Sequence, residues 1–429
     1  YLLPSPSSFP RPLPVTPFPC RIPHTFLYRS PSLMLVLVFF MLIVNVEGGD
    51  PEAAMTTPEI IRYWGYPVEI VPVTTADGYI LEMHRIPYGR KGPQGGYRPV
   101  IFLQHGLLCD SAIWVLNTPI YSAGFIFADA GFDVWLGNFR GNYYSKKHTT
   151  YSTADSCFWE FTWDQMAKYD LDAMITRALI ISGQDSLYYV GHSQGTLTMF
   201  AKLSSDAVFS QKIRKFFALA PIGNMVHVDG FFGLLTKNVG TELEYLFDIF
   251  GRNEFLPFTY MSYLYAEAVC ANPGGSEVCT QSFFLIGGQQ TNQFNRCRVS
   301  IYASHFRSGT SVMNIAHFLQ LTDSDCIIRR YDYRNAAKNL AVYGSTVPPA
   351  YNFGAIQTEM YLYWANEDYI AAPQDVQQTI SMLNAAYIKQ SNHLVGYNHG
   401  DFVNGLRAPA EIYYPIVQIV RTDFAARQG

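Results

Sequence analysis

The stretch Leu187-Tyr188-Tyr189-Val190-Gly191-His192-Ser193-Gln194-Gly195-Thr196-Leu197-Thr198-Met199-Phe200-Ala201-Lys202-Leu203 decides how this chain is read. Its first four residues are an apolar run that reads as a strand, and its last eight read as a helix. A serine flanked by glycines sits at the apex between them. Those glycines have a physical reason. A turn this tight leaves little room for Cβ atoms beside the serine, whose Oγ then stands clear of the sheet. The plain alternative is a glycine-bounded turn with a capping serine. The strand on one side and the helix on the other favour a nucleophile.

A serine hydroxyl is a poor nucleophile at neutral pH and needs a base within hydrogen-bond reach and an acid behind that base. Where a strand-serine-helix turn does this chemistry, in α/β-hydrolases, the order along the chain is Ser, then Asp or Glu, then His. Of ten histidines, at 24, 84, 105, 148, 192, 227, 305, 317, 393 and 399, only the last two follow a late strand and an acid. That strand is Thr358-Glu359-Met360-Tyr361-Leu362-Tyr363-Trp364-Ala365, and it runs into Asn366-Glu367-Asp368. Asp368 is the expected orienting acid. Glu367 is expected to face solvent, and Asp375 to be a first-turn charge of a helix over 373–383. His399, in a loop that opens the last helical region, is favoured over His393 because a loop histidine can reach back over the sheet.

An oxyanion needs two backbone N–H donors, each supplying about 2.7–4 kcal/mol to the transition state. One belongs to Gln194, directly after the nucleophile. The other is expected from Leu107, in the loop Gln104-His105-Gly106-Leu107-Leu108 that follows the strand-like Pro99-Val100-Ile101-Phe102-Leu103. Gly106 is expected to let the backbone turn that amide toward the site. His105 is read as a buttress of this loop and His192 as a packing residue.

With these residues placed, the chain resembles the acid lipase family, that is, gastric and lysosomal acid lipases. The matching segments are Tyr63-Trp64-Gly65-Tyr66-Pro67, Asp77-Gly78-Tyr79-Ile80-Leu81, Phe102-Leu103-Gln104-His105-Gly106-Leu107-Leu108, Ala128-Asp129-Ala130-Gly131-Phe132-Asp133-Val134-Trp135-Leu136-Gly137-Asn138, Lys168-Tyr169-Asp170-Leu171, Gly191-His192-Ser193-Gln194-Gly195-Thr196 and Tyr397-Asn398-His399-Gly400-Asp401-Phe402. The resemblance implies hydrolysis of neutral lipid esters, often triacylglycerols or cholesteryl esters, at acidic pH. It puts the triad on Ser193, Asp368 and His399 and the oxyanion amides on Leu107 and Gln194. Cys270 and Cys279 have the nine-residue spacing of the family's cap disulfide. One stretch and two single positions depart from the pattern. Tyr369-Ile370-Ala371-Ala372 stands where a Leu-Ala-Asp run is usual, so a carboxylate is missing. Gly400 stands where leucine is commoner, and Gly287 replaces a third cap cysteine.

The remaining composition agrees with a large secreted enzyme. The chain has 429 residues, 49% hydrophobic and only 15% charged, with 30 Tyr and 30 Phe. Residues 1–33 are rich in proline and serine, and Met34-Leu35-Val36-Leu37-Val38-Phe39-Phe40-Met41-Leu42-Ile43-Val44 suits a signal peptide over 34–48 better than a bilayer span. Residues 1–33 are expected to be a doubtful upstream or disordered segment. Without residues 1–48 the chain carries 27 basic and 33 acidic residues, a formal net charge of −6. That balance excludes nucleic acid as a partner and makes apolar contact the basis of binding at a lipid–water interface. The cysteines show no paired metal-ligand spacing and no His-Glu-x-x-His string occurs, so no metal and no cofactor are expected. No Asn-x-Ser/Thr acceptor occurs, which tilts localisation from the lysosome toward secretion.

Strand-like runs at 79–85, 99–103, 132–136, 187–190 and 216–220, with helices between them, predict an α/β-hydrolase fold: a mostly parallel sheet covered on both faces. Its core is expected in two parts, 49–222 and 350–429. Residues 223–349 fit no strand-helix alternation and are read as an inserted, mainly helical cap. The cap's apolar runs, at 230–235, 245–250, 255–258 and 260–265, suit an acyl-chain tunnel and a lipid-docking rim. An acyltransferase and a non-catalytic lipid-binding protein are the other readings of the same fold.

Overall fold

In chain order the strands are β1 Glu69–Thr74, β2 Tyr79–Ile86, β3 Val100–Gln104, β4 Asp133–Gly137, β5 Lys147–His148, β6 Leu187–His192, β7 Ile213–Leu219, β8 Glu254–Phe255, β9 Thr310–Ser311, β10 Glu359–Ala365 and β11 Ile388–Leu394. They belong to a computed structural model that describes residues 50–93, 95–239, 246–247, 251–256, 266–306, 308–323 and 325–427. The signal peptide read over 34–48, the segment 1–33 and the apolar run 260–265 lie outside the described residues, as do parts of the runs 245–250 and 255–258.

One sheet runs in the order β1-β2-β4-β3-β6-β7-β10-β11, with β5 on β2. From β4 to β11 every neighbouring pair is parallel, and β1, β2 and β5 add antiparallel pairings at one end. Parallel neighbours need crossovers, and helices supply them. Ala123–Asp129 links β3 to β4, Leu171–Ser182 lies between β4 and β6, Gln194–Ser205 follows β6, and Pro373–Met382 links β10 to β11. Covered on both faces, β3, β4 and β6 are buried along their whole length, whereas β1 and β11 at the edges are largely open.

The expected strands are all present, with bounds moved by up to three residues. His393 follows β10 in the chain but lies inside β11, where its ring packs against Trp364 at 4.4 Å between centroids.

Parallel pairing sets the functional edge. Gln104 at the end of β3 pairs with Gly191 of β6, Gly191 pairs with Ala218 of β7, and Leu219 pairs with Tyr363 of β10. The loops after β3, β6 and β10 therefore leave the sheet side by side.

Between β7 and β10 lie the helices Gly230–Val239, Pro273–Gly287, Val299–His305, Val312–Gln320 and Ala336–Tyr343. The antiparallel pair β8–β9 accompanies them, a feature that the helical reading of this region did not include. These elements are tied to the core by buried polar contacts. Arg298 gives a two-pronged bond to Glu52 at 3.0 and 2.7 Å. Asn314 Nδ2 donates to Gln194 Oε1 at 2.8 Å, and Tyr331 N–H donates to Asp164 at 2.9 Å. Cys270 and Cys279 form a disulfide with Cα atoms 5.6 Å apart.

Candidate active site

Ser193 is the one residue of the turn after β6 held at positive φ, with φ 54° and ψ −120°. A side chain in that region of φ/ψ space costs on the order of 1–3 kcal/mol and persists only where the surroundings impose it. Here they do. Ser193 N–H is tied to Leu219 O of β7 at 3.1 Å, while its own carbonyl accepts from Thr196 N–H at 2.8 Å and the Thr196 hydroxyl at 2.6 Å. A Cβ at Gly191 would come within 2.8 Å of the Gly195 carbonyl carbon, and one at Gly195 within 2.5 Å of Gln104 O. The glycines thus let strand, turn and helix pass closer than any side chain permits.

The loop after β3 lies against this turn. A Cβ on Gly106 would sit 2.9 Å from the Ser193 Cβ, so glycine is demanded by clearance. Further along the same loop Leu108 also stands at positive φ, 58°. Gln194 opens its helix, so its N–H has no acceptor inside that helix. Leu107 and Ser193 line the same cleft.

His105 braces the loop as expected. Its Nε2 accepts from Phe139 N–H at 3.1 Å, which leaves Nδ1–H to donate to Gly106 O at 2.8 Å. Burial, only partly offset by the Gly106 carbonyl, lowers its pKa to about 4, so the ring stays neutral. His192 does more than pack. Its Nε2 lies 2.9 Å from the His399 carbonyl oxygen and donates to it. Burial and then the nearby His399 ring push its pKa down to about 3.

Asp368 and His399 meet directly. His399 Nδ1 lies 2.8 Å from Asp368 Oδ2 and 3.0 Å from Oδ1. Oδ1 also accepts the N–H groups of Ile370 and Ala371 at 2.9 and 2.8 Å, so the carboxylate is oriented by the turn that carries it. With Nδ1–H given to Asp368, Nε2 of His399 is left as an acceptor. Glu367 does not simply face solvent. It is half-buried and accepts Gly396 N–H at 3.2 Å, bracing the start of the His399 loop. Asp375 lies in a helical first turn as expected, but it is buried and holds His227 through N–H and Nδ1 at 2.8 and 2.7 Å.

Ser193 and His399 line one cleft enclosing about 1120 Å³ of space, part of it open to solvent. Its other walls are mostly apolar, with Leu107, Leu108, Phe232, Phe283, Phe306 and Phe318 among them. Phe232, Phe283, Phe306 and Phe318 come from the region between β7 and β10. Among the described residues no group of three His, Cys, Asp or Glu side chains is placed to hold a metal ion.

Sequence reasoning missed the contacts that Gly287 and Asp401 make with this site. Gly287 O accepts His399 N–H at 2.9 Å, and Asp401 accepts Asn398 N–H at 2.9 Å. Asp401 stands inside a motif segment, but nothing in its sequence neighbourhood says which loop its carboxylate holds. The Asp77 and Asp170 motif segments prove to be joined by one buried arginine: Arg140 binds Asp77 at 2.6 Å and Asp170 at 2.6 Å.

Residues 57–118 match the family described as partial alpha/beta-hydrolase lipase region, and residues 99–255 match the alpha/beta hydrolase fold. The chain is 48% identical to lipase lipl-1 of Caenorhabditis elegans over 397 residues, which cover 91% of this chain and 98% of that one. It is 39% identical to human gastric triacylglycerol lipase over 89% of this chain and 95% of the relative. It is also 39% identical to human lysosomal acid lipase/cholesteryl ester hydrolase, over 92% and 98%.

Proposed function

Because the chain belongs to the acid lipase family of α/β-hydrolases, we propose that it hydrolyses neutral lipid esters, triacylglycerols or steryl esters, through an acyl-enzyme on Ser193. The observation that carries the reading is the Asp368–His399 hydrogen bond, 2.8 Å long, on the cleft that Ser193 also lines. Nε2 of His399 takes the Ser193 proton as Oγ attacks the ester carbonyl. The tetrahedral oxyanion accepts the N–H groups of Gln194 and Leu107. His399 then returns the proton to the leaving alcohol oxygen. A water deprotonated by the same nitrogen attacks the acyl-enzyme carbonyl; the acyl–Oγ bond breaks, Ser193 Oγ takes that proton back from His399, and the fatty acid is freed. Asp368 keeps Nδ1 protonated throughout, which is what leaves Nε2 basic.

Residues 223–349 serve as the cap over this cleft. Phe232, Phe283, Phe306 and Phe318 support that role, since a hydrocarbon chain reaching Ser193 meets rings on its way in. The place of work is the extracellular space first and the lysosome second. The absence of an Asn-x-Ser/Thr acceptor argues against delivery by a sugar tag. Among the described residues no helix is long and apolar enough to cross a membrane.

The test is Ser193→Ala, assayed on a p-nitrophenyl ester and on emulsified triacylglycerol across pH 4 to 8. The expected outcome is loss of turnover with an unchanged thermal melt. Retained turnover in the alanine protein would sink the assignment.

A further inference from the structure

Residues 287–293, which leave the end of the helix Pro273–Gly287, are laced to both the turn that carries Asp368 and the loop that carries His399. Gly287 O accepts His399 N–H at 2.9 Å and Tyr369 N–H at 3.3 Å. Gly288 pairs with Asp368 as an isolated antiparallel bridge, and Gln289 N–H donates to Glu367 O at 3.3 Å. That approach requires glycine, since Gly288 has φ 131° and a Cβ there would lie 2.0 Å from Glu367 O. Asn398 Nδ2 donates to Gln289 O at 3.1 Å, and Leu406 N–H donates to Gln293 O at 3.1 Å.

One side-chain contact in this lacing involves a carboxyl group that the proposed chemistry does not use, one whose pKa burial raises to about 6. The Thr291 hydroxyl donates to Asp401 Oδ2 at 2.5 Å, and the same oxygen accepts Asn398 N–H at 2.9 Å. Asp401 is 2% exposed. A buried carboxylate needs its donors, and removing one leaves the rest of the arrangement free to relax. Asn398 precedes His399 in the chain, so relaxation there moves the imidazole relative to Asp368.

We propose that Thr291 and Asp401 are positioning residues: their hydrogen bond clamps the backbone at Asn398 and so sets the His399 ring against Asp368. The inference rests on His399 being the base. It makes the region between β7 and β10 part of the catalytic geometry as well as a roof. Thr291 reaches no reacting atom. It acts through Asp401, then Asn398, then His399.

The test compares Thr291→Val, which removes the hydroxyl at nearly constant volume, with Thr291→Ser, which keeps it. On a soluble short-chain ester, Thr291→Val is expected to lower kcat by about tenfold or more while KM stays within about twofold, and Thr291→Ser to restore kcat. Thermal melts check folding, and Thr291→Ala replaces the valine variant if that protein does not fold. A second readout needs no turnover: the downfield proton resonance of His399 Nδ1–H is expected to broaden or shift in Thr291→Val and to persist in Thr291→Ser. A kcat within about twofold of wild type with the resonance unmoved overturns the proposal, as does a serine variant that falls as far as valine. If wild type itself hydrolyses no ester, the functional reading fails, and the resonance still decides the clamp.

Discussion

His192 donates from Nε2 to the backbone carbonyl of His399 at 2.9 Å, so the residue before the proposed nucleophile holds the residue proposed as its base. The two lie 207 positions apart in the chain. Their rings sit 4.8 Å apart between centroids. Burial, then the nearby His399 ring, lowers the His192 pKa to about 3, and Nε2 carries its donor proton in the neutral and the protonated ring alike, so acidification does not remove this bond.

Replacing His192 with phenylalanine keeps a ring and removes the donor, leaving the His399 carbonyl without that partner. An unmade buried hydrogen bond costs about 1–3 kcal/mol. We expect kcat to fall by about tenfold or more, with KM for a soluble ester nearly unchanged. Steady-state kinetics on folded protein check this, and a kcat equal to wild type would show that the bond has no part in placing the base.

Asp368→Asn isolates the role of the acid. The asparagine carbonyl can keep the Ile370 and Ala371 N–H bonds now made to Oδ1. Its amide then faces His399 Nδ1 as a donor, forcing that nitrogen to accept and putting the proton on Nε2. The imidazole is left in the wrong tautomer, and kcat is expected to drop by about 10⁴. Turnover within about tenfold of wild type would count against the triad assignment.

His105 makes stability depend on pH in a stated direction. Burial lowers its pKa from 6.5 to about 4 in the fold. Between those values the unfolded chain binds a proton that the folded chain refuses. Stability from this group is complete above pH 6.5 and is lost as pH falls toward 4, by at most about 3 kcal/mol. Below that, a protonated Nε2 no longer accepts Phe139 N–H, and the loop carrying Leu107 loses its brace. Urea unfolding at pH 6.5 and pH 4.5 is expected to show a smaller difference for His105→Gln than for wild type. Equal differences would mean that His105 is not a source of the acid sensitivity.

Much of this molecule was legible in its chain. The turn around Ser193 is readable because strand, glycine-bounded serine and helix are contiguous, and because no other residue satisfies the clearances at 191 and 195. The order Ser, acid, His and the late strand before Asp368 narrowed ten histidines to two. Local chemistry could not do the rest. The need for glycine at 106 depends on how near the loop after β3 comes to Ser193. Glu367 looked solvent-facing because nothing beside it in sequence reveals Gly396.

What the chain by itself determined is the set of pieces whose causes are local: strands from apolar runs, a strained turn from two glycines, and a helix start that leaves the Gln194 N–H without an internal acceptor. Only the tertiary structure decided which distant groups share a hydrogen bond. His192 with His399, Thr291 with Asp401 and Gly287 with His399 are joined across 207, 110 and 112 positions. Such pairs follow from the packing of loops over one sheet edge, and a buried donor takes whichever acceptor that packing delivers.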